Sequence, residues 1–382
     1  MAQQSTDHQA SVTMPGASNS TGDRRALYLK LFSGEMFKGF EYNAIARDLV
    51  MKRTLKNGKS LQFIYTGRTK AEFHTPGNSI LGNSDGAPPV AEKTITVDDL
   101  LISSAFVYEL DETLAHYELR GEISKKIGYA LAQKYDRLIF RAVTRGARKA
   151  SPITKANFVE PGGTQIRVGT NAQASDAYNS ANLINAFYDA AAALDEKGVS
   201  SDGRVGILNP RQYYELIQDV GSNGLVNRDV QGSALQGGNG IIEIAGIRIF
   251  KSMNIPFFAN FGTKYGTAGA TNPGTTDPGN SGSFVGEAMG DQDSANTPTG
   301  QKTVNNYGTQ AKFNNSCGLI FQKEAAGVVE AIGPQVQVTS GDVSVVYQGD
   351  VILGRLAMGA DSLNPAAAVE LYAGTATAPA DL

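Results

Sequence analysis

Little in this chain invites covalent or metal chemistry. Its 382 residues include one cysteine, Cys317, three histidines and no tryptophan. A single thiol cannot close an intramolecular disulfide, so stability must come from packing, and folding in a reducing cytoplasm is expected. His8, His74 and His116 lie far apart, and none has a Cys, His or Glu at metal-ligand spacing. No metal and no other cofactor is expected. No window approaches the roughly 18 apolar residues of a membrane span, so no membrane partner is expected either. Residues 1–22 are rich in Ser, Thr, Gln and Gly without the apolar core of a signal or transit peptide, and are expected to form a polar arm. A net charge of −3 provides neither a global basic field for nucleic acid nor the acidity of a disordered chain.

The short motifs with catalytic associations fail on context. Gly82-Asn-Ser-Asp-Gly86 matches the G-x-S-x-G elbow of serine hydrolases, but Pro88-Pro89 prevents the helix that must follow. Gly58-Lys59-Ser60 resembles the end of a phosphate-binding loop, yet Arg53 stands where its first glycine belongs. Asp291 and Asp293 lack the glycine and distal glutamate of a calcium loop. Cys317, between Ser316 and Gly318 ahead of an apolar run, is expected to be a plain small residue. No constellation argues for an enzyme.

What the chain does have is length in one element. Residues 111–149 form a proline-free helical pattern of nearly forty residues, close to 60 Å at about 1.5 Å per residue. Leu119, Ile123, Ile127, Leu131, Tyr135, Ile139 and Val143 recur every fourth residue. That row outruns the helical period and drifts about 40° per step, so the two ends should meet different neighbours. Acids lead the helix and bases follow; after Glu122, Asp136 is the only acid among them. The order suits the helix dipole, which acts only at the terminal turns. Gly121 and Gly128, each costing about 1 kcal/mol against alanine, suggest close approach by another element.

Around this helix the chain reads as α+β. Residues 23–59 carry nine bases against four acids. Strands are expected at 60–66 and 93–108, flanking a turn-rich stretch, 67–89, as a long hairpin. Residues 151–180 look linker-like. A mixed unit follows: helix 183–197 stopped by Gly198, strand 204–208, helix 210–220 opened by Pro210, and a hairpin of 241–244 with 247–250 around Ala245-Gly246. Residues 262–309 have almost no large aliphatic residues, hence a surface excursion. Strands are expected at 319–321, 328–332, 336–338, 343–358 and 368–372.

Four sets of residues, in order, carry a family resemblance. They are Gly67-Arg-Thr-Lys-Ala71 with Thr75-Pro-Gly77; Asp99-Leu-Leu101 through Tyr108-Glu-Leu-Asp111 with His116-Tyr117 and Arg120; Gly318-Leu-Ile-Phe321 with Gly327-Val328; and Ala357-Met-Gly359 with Leu363-Asn-Pro-Ala-Ala367. The chain resembles the major capsid proteins of T-seven-like short-tailed phages, with the Hong Kong 97-like fold, over roughly residues 23–372. The match is looser over 150–205. A cyanobacterial host is compatible with it, though no residue specifies one.

The resemblance implies an N-terminal arm (1–59) and an extended loop (60–92) reaching over a neighbour. It implies a peripheral domain (93–180) with the spine helix 111–149, an axial domain (181–316) containing the 262–309 loop, and return strands (317–382). It further implies hexamers and pentamers that close, with scaffolding and portal proteins, into an icosahedral virion shell around double-stranded DNA, with a decoration protein as a further candidate partner. Expected inter-subunit contacts are Arg68, Lys70, Phe73 and Pro76 in the loop. On the helix they are Arg137, Arg141, Arg145 and Arg148, pairing with acids of neighbours or scaffold, a minority near DNA. The Lys–Asn crosslink of the namesake phage has no identifiable counterpart. A cellular nanocompartment shell of the same fold is the alternative. A tail or adhesin protein would favour β-repeats over the long helix, and an enzyme comes last.

Overall fold

The computed structural model describes residues 45–66, 73–77, 90–97, 100–108, 119–154, 160–170, 173–218, 242–252, 254–255, 313, 315–338 and 348–380. The arm before residue 45, most of the 67–89 stretch, the helix start at 111–118 and the 262–309 excursion lie outside them. The described chain falls into two compact units.

The smaller unit takes in 100–132 and 332–356. In it, strand β4 (Leu101–Tyr108) runs antiparallel to the first half of β11 (Gly349–Ser362), in continuous register from Tyr108↔Gly349 to Leu101↔Leu356. Alternation along β4 turns Leu101, Ala105 and Val107 toward Ile127 and Leu131 of helix α1 (Leu119–Arg148). Gly354 makes this fit possible: a Cβ there would stand 2.4 Å from Ile127 Cγ2 and 2.8 Å from Leu131 Cδ1. Gly128, expected to mark a close approach, faces open space instead.

The larger unit takes in 44–99, 133–331 and 357–382. Its six-stranded sheet has the order β5-β12-β9-β6-β8-β7, built from β5 (Thr164–Arg167), β6 (Val205–Leu208), β7 (Ile242–Ile244), β8 (Ile247–Lys251), β9 (Ser316–Phe321) and β12 (Ala368–Tyr372). β6, β9 and β12 are buried along their whole length, which is why they read as continuous apolar runs. Helix α2 (Ser180–Glu196) starts at Asn179, whose side chain accepts from the Ala181 and Asn182 N–H groups, and stops before Gly198 at φ +67. Its Phe187 fills the space left by Gly206 of β6, where a Cβ would lie 2.7 Å from Phe187 Cε1. Helix α3 (Pro210–Gln218) begins at its proline, as expected.

Also in this unit, β2 (Ser60–Thr66) and β3 (Val90–Thr96) form the antiparallel hairpin, Ser60 opposite Thr96 and Thr66 opposite Val90. β1 (Met51–Thr54) runs parallel to Gly327–Glu330 of β10 (Ala326–Val338).

Three expectations need correction. The run 93–108 is not one strand: β3 ends at Thr96, β4 begins at Leu101, and the two belong to different sheets. The 151–180 stretch is not a plain linker, because Thr164–Arg167 pairs parallel with β12. The expected strands 328–332 and 336–338 are one continuous β10; β1 pairs only its first residues, so Pro334 needs no ladder partner on that side.

Candidate functional site

The described residues are tied together by buried and half-buried polar clusters. Three such polar clasps stand out among the described residues of the larger unit.

The first grips residues 45–52. Glu330 on β10 is buried and accepts from three partners: Arg47 Nε at 3.1 Å and Nη2 at 3.2 Å, Lys52 Nζ at 2.8 Å, and the Tyr135 hydroxyl at 2.7 Å. Burial pushes the Glu330 carboxyl up, but the hydrogen bonds from Lys52, Tyr135 and Arg47 outweigh it and hold it below the usual glutamate range. Burial and the adjacent Glu330 carboxylate push the Tyr135 phenol far up. One residue on, Asp136 accepts the Ile45 N–H at 2.9 Å and the Ala46 N–H at 3.1 Å, at the start of the 3-10 turn Ala46–Asp48. Burial pushes Asp136 up to about 6, against the pull of those two N–H groups and the Asn254 side chain. Consecutive helix residues point about 100° apart, so Tyr135 and Asp136 reach this segment along two directions.

The second clasp sits at the root of the hairpin. Lys93 Nζ lies 2.7 Å from Asp361 Oδ2; Lys149 Nζ lies 3.6 Å from Oδ1 and 3.1 Å from Ser362 Oγ. Burial raises the Asp361 carboxyl, but Lys93 and Lys149 prevail and hold it below its ordinary value. Tyr65 donates to Asn364 Oδ1 at 3.3 Å, and the Arg53 guanidinium stacks 4.7 Å from the Phe63 ring centre. Gly359 lets β3 cross here: a Cβ would be only 2.0 Å from Thr96 O.

The third closes the end of α1. Arg148 and Glu370 form a two-pronged pair, Nε–Oε2 2.8 Å and Nη2–Oε1 2.6 Å, with both side chains sealed from water. The Phe313 ring lies 4.7 Å from the guanidinium. Arg148 Nη1 and Gln165 Nε2 then hold the C-terminal segment through Ala380 O and Pro379 O, at 3.1 and 2.8 Å.

The expected contact residues separate accordingly. Phe73 is fully exposed, and Pro76 is exposed in a turn with Gly77; Arg68 and Lys70 lie outside the described residues. On the helix, Arg137 and Arg141 are buried and Arg145 is half-buried. Arg148 is neutralised inside the subunit, so the expectation that it reaches a neighbour is corrected. The winding apolar row explains this: Ile127, Leu131, Tyr135, Ile139 and Val143 are all buried, and past residue 134 packing surrounds the helix. The Glu330 and Asp136 clasps escaped the sequence, although Asp136, the lone acid among bases, was a visible signal.

Among the described residues no three His, Cys, Asp or Glu side chains gather as a metal site. His74 is exposed, while His8, His116 and the Gly82–Gly86 motif lie outside the described residues. Cys317 is buried, donates to Leu371 O at 3.3 Å, and burial pushes its thiol far up, as suits a packing residue. A cleft of about 640 Å³ between Asp48, Arg204, Glu243, Arg248 and Lys323 mixes both charges without a nucleophile and base in hydrogen-bond contact.

The comparisons with known proteins agree with this picture of an architectural subunit. The major capsid protein of Escherichia phage T7 is 26% identical over 355 residues, spanning 91% of this chain and 92% of that protein. That of Enterobacteria phage T3 is 25% identical over 362 residues, 93% of this chain and 94% of the relative. A capsid structure of the cyanophage P-SCSP1u superposes with a TM-score of 0.66 at 28% identity, covering 95% of this chain and 99% of that one. The mature capsid of bacteriophage PhiM1, at TM-score 0.59 and 17% identity over 96% of this chain and 98% of its own, shares the fold. The fold is thus the Hong Kong 97-like phage capsid fold, α+β in content. A family model described as "Gp10A-like: Major capsid protein" matches residues 62–372, and the chain belongs to that family.

Proposed function

We propose that this chain, a tailed-phage major capsid protein of the virion, assembles as hexamers and pentamers, with scaffolding and portal proteins, into an icosahedral shell around double-stranded DNA. The observation that carries this is the family match over residues 62–372. Family membership also makes it a structural protein and leaves the nanocompartment alternative without support. A closed shell needs edges that tolerate slightly different angles. A hairpin held at its root by Lys93 and Asp361, with Phe73 exposed, meets that need. The net charge of −3 suits a DNA container, because a strongly basic wall would bind phosphates non-specifically.

Within this proposal residues 1–59 act as the arm and 60–92 as the extended loop, whose Arg68, Lys70, Phe73 and Pro76 contact the neighbouring subunit. Residues 93–180 belong to the peripheral domain, 181–316 form the axial domain, and 317–382 return. A decoration protein would bind the outer surface. Negative-stain microscopy of the expressed chain tests the core of the proposal: closed shells or capsomers are expected, and small discrete oligomers under all assembly conditions would overturn it.

A further inference from the structure

The basic excess of residues 23–59 ends in a turn that none of the three clasps uses. From the end of β1 into β2 the chain runs Arg53-Thr-Leu-Lys-Asn-Gly-Lys-Ser60, three bases and no acid. Arg53, Lys56 and Lys59 are exposed, and no ion pair among the described residues takes up any of them. Neighbouring Lys52, by contrast, is already neutralised by Glu330. The turn is pinned at both ends: the Leu55 N–H donates to Glu330 O and the Val97 N–H to Lys59 O, each at 2.8 Å. Its charges are therefore held beside the β2–β3 hairpin. One face of that hairpin continues the surface. Ser60 stands opposite Thr96 and Gln62 opposite Thr94, all four are exposed, and directly opposed residues share a face. A carboxylate and an exposed apolar side chain return only at the next pair on that face, Ile64 with Glu92.

We propose that this turn and the adjoining hydroxyl and amide strip bind the phosphodiester backbone of duplex DNA. Nucleic-acid phosphates are contacted without regard to sequence by Lys and Arg, joined by Ser, Thr, Asn and Gln donors, and that is the set present here. An acidic protein is the competing polyanion. Protein interfaces, however, centre on aromatic and apolar anchors and are depleted in Lys. This surface exposes no such anchor: Leu55 and Leu61 are half-buried, and Phe63 is buried with the Arg53 guanidinium over its ring. Without an exposed ring there is also no platform for unstacked bases, which favours the duplex over a single strand. The presence of a duplex rests on the shell function proposed above; the phosphate chemistry of the turn does not.

The test titrates a random-sequence DNA duplex with dispersed full-length subunits, read by fluorescence anisotropy over a salt series. Wild type is expected to bind at low salt and to weaken as salt rises. Lys56→Gln with Lys59→Gln should bind more weakly and flatten the slope of log K against log salt by about 0.9 per lysine removed. Arg248→Gln with Lys323→Gln removes the same charge from exposed positions elsewhere and should keep the wild-type slope. Equal slopes for wild type and the turn variant overturn the proposal, and so does an equal loss in the control pair, which would make the effect one of net charge. Absence of duplex binding by wild type at low salt overturns it. Tighter binding of polyglutamate than of the duplex also overturns it, in favour of an acidic protein. Shell closure is scored separately by microscopy. A chain that never forms shells overturns the shell function, while the titration still decides the phosphate site.

Discussion

The Tyr135 hydroxyl donates to Glu330 Oε1 at 2.7 Å, joining the long helix to β10 inside the larger unit. Both residues are buried, and the same carboxylate receives Arg47 and Lys52 from the segment 45–52. Asp136 takes the backbone of that segment two residues earlier. The path of residues 45–52 is therefore set by two consecutive residues of one helix. Any movement of this helix region would carry residues 45–52 with it.

The Asp136 clasp should be pH-sensitive. Its folded pKa of about 6 is raised above the unfolded value of 3.8, so between those limits the folded subunit binds more protons. Its contribution to stability is full below the unfolded value and is lost as pH rises through about 6. The slope cannot exceed about 1.4 kcal/mol per pH unit. Glu330 and Asp361, held low, contribute with the opposite sign and lose their contribution only as pH falls below the carboxylate range. Urea unfolding of the subunit between pH 4 and 7 should give a flatter pH dependence for Asp136→Asn than for wild type. Parallel curves would show that Asp136 does not titrate there.

Arg148→Met should destabilise the subunit by about 3–5 kcal/mol, because Glu370 is left charged and buried. Adding Glu370→Leu should recover much of that loss, since no charge is then stranded. Chemical denaturation of the three variants measures both steps. Little change in the single variant would mean that water reaches the pair.

Gly359→Ala should loosen the hairpin root. The new methyl would press on the Thr96 carbonyl, which is backbone and cannot rotate aside. A loss of about 1–3 kcal/mol is expected, with faster hydrogen exchange along Ser60–Thr66 and Val90–Thr96 than elsewhere. Uniform exchange across the larger unit would place the effect somewhere other than the hairpin.

Deleting residues 75–87 should separate folding from assembly. The hairpin ladder and its root clasp lie outside the deletion, so the subunit should unfold at nearly the wild-type temperature while shells fail to close. Unfolding of the isolated subunit by this deletion would show that the tip contributes to its core.

Wherever pattern and chain proximity suffice, the amino-acid sequence determined this protein by itself. The four-residue apolar row is buried at all five described positions, Ile127 to Val143. The hairpin register, the proline start of α3 and the glycine stop after α2 follow from adjacent residues. The family was legible because its motifs are spread along the chain in order. Tertiary structure decided what depends on partners distant in sequence. Glu330 is 283 residues from Arg47 and 195 from Tyr135, and Glu370 is 222 from Arg148. A charged residue in a one-dimensional pattern looks the same whether it faces water or a buried partner. Packing therefore turned Arg148 from an expected contact with neighbours into an internal tie. The split of 93–108 between two sheets has the same origin: each half has β propensity, and only distant partners assign it a sheet.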